Sequence, residues 1–96
     1  PAGYPVQIIE KKGEWIKVKD FENDQGWVFS SLVSRDPYVI VTVNEGNARS
    51  GPGTEFGKVG TVVREVILKK VNQKGDWIQF EHPNLKGWIH KKLVWP

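Results

Sequence analysis

The 96-residue chain contains no cysteine and no methionine. Without cysteine it forms no disulfide framework, no cysteine-ligated zinc site and no cysteine nucleophile. It has no run of 18 apolar residues, so no segment is long enough to span a membrane as a helix, and apolar runs such as 38–43 have the length of a strand. No signal peptide and no initiator methionine are present, so we expect that Pro1 begins a processed or trimmed chain.

Composition and size limit the class of protein. Hydrophobic residues make up 39% and charged residues 26% of the chain, which is the range of a globular protein. A chain of this length forms one ordinary domain or two very small ones. It is too short to build the deep cleft of a large multi-domain enzyme.

The net charge of +3 is unevenly distributed. Residues 1–48 hold 5 basic and 7 acidic residues, a net of −2, whereas 49–96 hold 9 and 4, a net of +5. A basic half attracts anionic partners such as nucleic acid, lipid headgroups or acidic wall polymer, and it also serves plain solubility. Nucleic acid is not favoured, because the basic residues that would contact it lie in no motif with stacking aromatics; they include Lys69, Lys70, Lys74, Lys86, Lys91 and Lys92.

The strongest signal is an internal repeat. Three short blocks recur in the same order, each 61 or 62 residues after its first copy. The blocks are KGEWI (12–16) and KGDWI (74–78), GWV (26–28) and GWI (87–89), and SLV (31–33) and KLV (92–94). We call residues 1–34 repeat 1 and residues 38–96 repeat 2, and we place a linker at 35–37.

The blocks are typical of β-strands. They are short, rich in β-branched and aromatic residues, and bounded by turn-forming segments such as 12–14 and 22–26. No window shows helical spacing of apolar residues. The sequence therefore predicts an all-β chain of small barrels, because closure of a barrel removes exposed strand edges.

The two repeats differ at their front. Repeat 2 begins with a strand candidate at 38–43 and a loop at 46–54, whereas repeat 1 has only 1–4 before its first strand. We therefore expect repeat 1 to lack its opening strand. The missing strand lies upstream, or another segment or chain supplies it, in which case a dimer forms by strand exchange.

Strand alternation predicts which side chains face outward. In β-strands neighbouring residues point to opposite faces, so Ile16 and Val18 form a core pair and Trp15 shares the other face with Lys17 and Lys19. The same count in the other strands places Val28, Ile78, Phe80 and Ile89 inward. It places outward Trp27, Phe29, Trp77, Trp88 and His90. Such rings form either a binding groove or a seam between the repeats.

The segments 47–53, 75–78 and 87–89 together resemble the bacterial SH3 (SH3b) family, and the tandem arrangement is similar to exported SH3-like proteins of Gram-negative bacteria. The resemblance covers nearly the whole chain. It implies a five-stranded SH3-like barrel, no catalysis, a periplasmic or extracellular location, and binding of peptide or peptidoglycan.

The resemblance also implies where a ligand lies. In SH3 domains the groove uses an aromatic at the start of the third and of the fourth strand, which Trp77 and Trp88 match in repeat 2 and Trp15 and Trp27 match in repeat 1. The facing wall is the loop at 50–56, which carries Phe56. The Tyr-rich motif of proline-peptide-binding SH3 domains is absent.

Two features of that loop have alternative roles. Arg49 binds either a ligand carboxylate or the loop itself, through carbonyl groups or Glu55. The segment Gly51-Pro52-Gly53 predicts a tight turn with glycine at positive φ. It does not form a phosphate-binding loop, because the required Lys and Ser/Thr are missing and no helix follows.

The sequence predicts no enzyme, no metal site and no cofactor. The only histidines, His82 and His90, have no carboxylate cluster nearby, and no Ser/His/Asp arrangement is visible. On the binding that the resemblance implies, the first hypothesis is non-catalytic recognition of a cell-envelope peptide or peptidoglycan stem. The second is a structural module that dimerises, and the weakest is nucleic-acid binding.

Overall fold

The computed structural model describes residues 4–33 and 37–96, and the regular structure there consists of short β-strands. The strands are β1 Gln7–Lys12, β2 Trp15–Lys19, β3 Gln25–Phe29, β4 Tyr38–Val41, β5 Glu45–Arg49, β6 Lys58–Val63, β7 Ile67–Lys74, β8 Trp77–His82, β9 Leu85–His90 and β10 Val94–Trp95. Single 3₁₀ turns, Ser30–Leu32 and Lys91–Leu93, follow β3 and β9. Over the described ranges we find no helix with the length and hydropathy to cross a membrane.

The strands form two antiparallel sheets. Strands β1-β2-β3 make a three-stranded sheet, and the other seven pair in the order β10-β4-β7-β8-β9-β5-β6. The expected all-β fold of small SH3-like barrels is confirmed. Of the linker predicted at 35–37, residues 35 and 36 lie outside the described residues. Pro37 accepts a hydrogen bond at its carbonyl from the Lys70 backbone N–H, at 2.8 Å.

Corresponding hairpins of the two sheets share backbone details. Gly13 and Gly75, at equivalent turns, both have φ of 58°. In each copy the register of the hairpin shifts by one residue, at Ile9 between β1 and β2 and at Val71 between β7 and β8. Such bulges bend and twist a strand pair, so the repeated blocks encode the same local geometry twice.

The seven-stranded sheet has one hydrophobic core, which is a cluster of buried side chains. The predicted inward residues Ile78, Phe80 and Ile89 belong to it and are 2%, 0% and 0% exposed. Its other members come from the remaining strands of that sheet: Val39, Val41, Ala48, Val62, Leu68 and Val94. This closed core fixes the faces of β8 and β9, and their opposite faces are where the predicted site lies.

The three-stranded sheet covers far less apolar surface. Ile16 is buried as expected, but Ile8 and Ile9 remain exposed. Leu32 is 78% exposed, whereas its counterpart Leu93 packs against the core cluster. Within residues 4–33 no strands correspond to β4–β6, which leaves these apolar side chains uncovered.

One strand lies where the sequence predicts a loop. β5 falls in the segment read as a loop from its glycine and asparagine content, yet it alternates exposed residues with buried Gly46 and Ala48. A Cβ at Gly46 would lie 3.1 Å from Leu93 Cδ1, so only a very small residue fits. Glycine here serves close packing of β5 against the core.

Candidate functional site

The predicted aromatic residues of repeat 2 lie on neighbouring strands and on the side of the sheet away from the core. Trp77 in β8 is opposite His90 in β9, and Gln79 is opposite Trp88. The rings of Trp77 and His90 meet edge to face, with centroids 5.2 Å apart and planes at 77°. This geometry favours aromatic pairing. We call Trp77, Trp88 and His90 the Trp77 face.

A local hydrogen bond fixes the ring of His90. Its Nδ1 accepts from the Lys92 backbone N–H at 3.1 Å, across the start of the 3₁₀ turn. In the neutral ring the other nitrogen, Nε2, then carries the proton. His90 therefore presents a donor beside the half-buried Trp77 ring.

Trp88 corrects one expectation. It points away from the core cluster, as the alternation predicts, but it is only 8% exposed and forms no open groove wall. β5 pairs with β9 at Arg49 and Trp88, and the Lys74 ammonium lies 6.0 Å from the Trp88 ring centroid. β5 falls in the segment that the sequence predicts as a loop, so its pairing beside Trp88 could not be predicted by counting along β9.

The loop at 50–56 is held by Arg49. Arg49 Nη1 donates to the carbonyl oxygen of Phe56 at 3.0 Å, and the Ser50 N–H donates to the Gly57 carbonyl at 2.8 Å. Of the two roles considered for Arg49, this is the one within the fold. The loop presents the Phe56 ring at 39% exposure, beside the exposed Glu55.

The expected positive φ at Gly51 and Gly53 is wrong, since neither glycine has one. The loop still turns sharply, because the Gly53 N–H donates to the Gly51 carbonyl at 2.9 Å. A Cβ at Gly51 would collide with the Phe56 ring, and one at Gly53 with the Glu55 carboxylate. Glycine is needed here for side-chain packing onto the backbone.

Repeat 1 carries an equivalent and more open surface. Trp15 and Phe29 stack with centroids 4.5 Å apart and planes at 19°, and they are 47% and 41% exposed. Trp27 is 40% exposed where its counterpart Trp88 is buried, since no described strand pairs with β3 as β5 pairs with β9. We call Trp15, Trp27 and Phe29 the Trp15 face.

Sequence reasoning missed two lysines on these faces. Lys12 Nζ lies 5.6 Å from the Trp27 ring centroid, as Lys74 Nζ lies near Trp88, and both separations fit a cation–π interaction. The sequence did contain a signal for these two lysines, because lysine is the first residue of both the KGEWI and the KGDWI block. The hairpin register places each of these lysines directly across from the tryptophan of its own block, Trp15 or Trp77.

An ion pair closes the turn before Trp77. Lys91 Nζ lies 3.1 Å from Asp76 Oδ1, and the Lys91 N–H donates to the Asp76 carbonyl at 2.8 Å. The side-chain hydrogen bond and the charge of Lys91 hold the pKa of Asp76 below its ordinary value. In repeat 1 the equivalent backbone hydrogen bond runs from the Ser30 N–H to the Glu14 carbonyl at 2.9 Å. Because serine stands there in place of Lys91, the ion pair is specific to repeat 2.

The fold and its outward aromatic residues define a small SH3-like barrel, in which a hairpin and a 3₁₀ turn precede the last short strand. Comparison with known families agrees: two family models, both described as bacterial SH3 domain, match residues 44–94 and 1–35. The chain belongs to the bacterial SH3 domain family.

The chain is also similar to part of a larger protein. It is 30% identical over 67 residues to the Bacillus subtilis protein named "Putative N-acetylmuramoyl-L-alanine amidase YrvJ". The match covers 69% of this chain and 13% of that protein. The similarity therefore concerns a small region of YrvJ.

Proposed function

We propose that this chain is a non-catalytic binding module of the bacterial cell envelope, which recognises a peptide or the peptidoglycan stem through the Trp77 face. One observation carries the proposal: in both sheets an aromatic pair at equivalent positions, Trp15 with Phe29 and Trp77 with His90, lies on the face opposite the buried residues of its strands. Membership of the bacterial SH3 family supports it, as does the similarity to a protein named for an N-acetylmuramoyl-L-alanine amidase. A wall-binding role places the chain in the periplasm or outside the cell.

The residues have distinct parts in this proposal. Trp77 offers an apolar ring edge to the ligand, His90 offers an N–H donor, and Phe56 forms the facing wall. Arg49 holds the loop rather than the ligand, and Glu55 accepts a hydrogen bond from a ligand amine or amide. The Trp15 face supplies a second aromatic surface on the same chain, through Trp15 and Trp27.

Cosedimentation with purified peptidoglycan tests the proposal. We expect Trp77→Ala to weaken binding by roughly tenfold or more, because a buried aromatic contact at the centre of an interface contributes about 2 kcal/mol. Val63→Ala, on β6 and 47% exposed, is the matched control and should bind as wild type. Thermal unfolding of each variant separates lost binding from lost fold. Unchanged binding by a folded Trp77→Ala variant would contradict the proposal.

A second candidate function, self-assembly, is favoured by the uncovered apolar side chains of repeat 1. Leu32 at 78% exposure, together with Ile8 and Ile9, presents a surface that strands from a second copy would cover. Analytical ultracentrifugation distinguishes the two functions. A monomer that binds peptidoglycan favours recognition, whereas a tight dimer that Leu32→Asp dissociates favours assembly.

A further inference from the structure

A depression of about 380 Å³ lies on the outer surface of β4, β7, β8 and β9. This volume is within the range of sites that hold small ligands. It is lined by Tyr38, Ile67, Lys69, Glu81, His82, Pro83 and Lys86. Glu81 lies four residues after Trp77 on β8, which separates the two places by roughly 13 Å along the strand.

Strand register places three of these charged residues side by side. Lys69 in β7 is opposite Glu81 in β8, and Glu81 is opposite Lys86 in β9. Directly opposed residues of antiparallel strands project to the same side, with Cβ atoms about 5 Å apart. We call Lys69, Glu81 and Lys86 the charged row. Tyr38 in β4 extends it at the Lys69 end.

The charges of the row are available to a ligand. Among residues 4–33 and 37–96, the ion pairs are Glu10–Lys12 and Asp76–Lys91, so Glu81 closes onto neither lysine beside it. All three side chains of the row are exposed. The ammonium groups of Lys69 and Lys86 therefore flank the Glu81 carboxylate. The two lysines can donate hydrogen bonds to a ligand, and Glu81 between them can accept one.

The rest of the depression is largely apolar, apart from His82, whose Nδ1 accepts a hydrogen bond from the Asn84 backbone N–H. Ile67 and Tyr38 line it as half-buried residues, and Pro83 lines it from the β8–β9 turn. This surface is large enough for a methyl or small branched side chain. The central Glu81 repels a continuous polyanion such as nucleic acid, so the arrangement favours a ligand that carries one negative group next to a hydrogen-bond donor.

We propose that this depression binds the free carboxyl terminus of a peptide that ends in a small apolar residue. Lys69 and Lys86 donate to the terminal carboxylate, and Glu81 accepts the N–H of the last peptide bond. The terminal side chain packs on Ile67 and Pro83. The site uses none of the residues of the Trp77 face, and it stands whether or not that face binds peptidoglycan.

The test uses N-acetyl-alanyl-alanine as probe, compared with its carboxyl-terminal amide, in amide NMR titrations of the full chain. We expect the acid to shift the backbone amides of the charged row in a saturable way. The amide should bind about tenfold more weakly, since it loses charge-assisted hydrogen bonds. Equal binding of acid and amide would overturn the proposal, as would inorganic phosphate binding the same amides as tightly as the acid.

Substitutions test whether the lysines of the charged row bind the carboxylate. The double substitution Lys69→Gln with Lys86→Gln should weaken the acid about tenfold, while Lys58→Gln, an exposed lysine on β6, should not. Trp77→Ala should leave the saturable shifts of the charged-row amides in place, which separates this site from the proposed peptidoglycan site. If the double variant binds the acid like wild type, the charged row is not the site.

Discussion

At the scale of single residues, the sequence predicts the face of the sheet to which a side chain points, but it does not predict how much of that side chain is exposed to solvent. Trp27 and Trp88 occupy equivalent positions and point to equivalent faces, yet they are 40% and 8% exposed. The two strands also differ in their neighbours, because β5 pairs with β9 at Arg49 and Trp88, whereas no described strand pairs with β3 in this way. Counting along a strand gives the face of a side chain, whereas its solvent contact depends on neighbours far away in sequence.

The pair of Asp76 and Lys91 gives a prediction at this scale. Lys91 lowers the pKa of Asp76 below 3.8, so the folded state binds its proton less readily than the unfolded chain. The stabilisation from the ionised carboxylate is therefore present above the unfolded pKa and is lost as pH falls through the folded pKa. An NMR titration of the Asp76 carboxyl should show a midpoint below 3.8.

Lys91→Gln removes the cause of this shift and should return the midpoint of Asp76 toward 3.8. Lys58→Gln, on β6, is the matched control and should leave it in place. A midpoint that is the same with and without the Lys91 ammonium would show that the contact at 3.1 Å does not persist in solution.

At the scale of elements, the sequence predicted the hairpins well and the β5–β6 hairpin poorly. The KGEWI and KGDWI blocks combine a glycine turn with alternating apolar residues, and both formed the expected turns. β5 has the small buried residues Gly46 and Ala48 in place of large apolar ones, so it lacks the pattern that identifies a strand. This gap also affected the prediction of the candidate site, because β5 pairs with β9 at Trp88.

The turn at Gly75 gives a prediction for the β7–β8 hairpin. Its φ of 58° disfavours a side chain, although no atom lies within 4 Å of the position a Cβ would take. Gly75→Ala should therefore lower the free energy of unfolding by about 1 kcal/mol, purely through backbone strain. Urea denaturation measures the change.

Gly57 provides the control for that change. It also has open space at its Cβ position, but its φ is not positive, so Gly57→Ala should shift the free energy of unfolding by less than about 0.5 kcal/mol. Gly75→Asn should lose less stability than Gly75→Ala, since asparagine tolerates the left-handed region. Equal losses for Gly57→Ala and Gly75→Ala would refute the conformational explanation.

At the scale of the whole molecule, the chain combines one closed core with one open sheet. The nine-member buried cluster belongs to the seven-stranded sheet, while repeat 1 buries Ile16 but leaves Leu32 in solvent. The internal repeat was sufficient to predict the fold class, because equal blocks imply equal local structure. It was not sufficient to predict which aromatic faces are open, since the more open one lies on the repeat with fewer strands.

The most direct measurement for the account is an amide NMR titration with a soluble peptidoglycan fragment that contains a stem peptide. The proposed binding function predicts saturable shifts centred on Trp77 and His90 and on the loop that carries Phe56. Trp77→Ala should remove these shifts while the dispersed spectrum of the folded chain is retained. A folded chain that shows no saturable shift on either the Trp77 face or the Trp15 face would contradict the central claim.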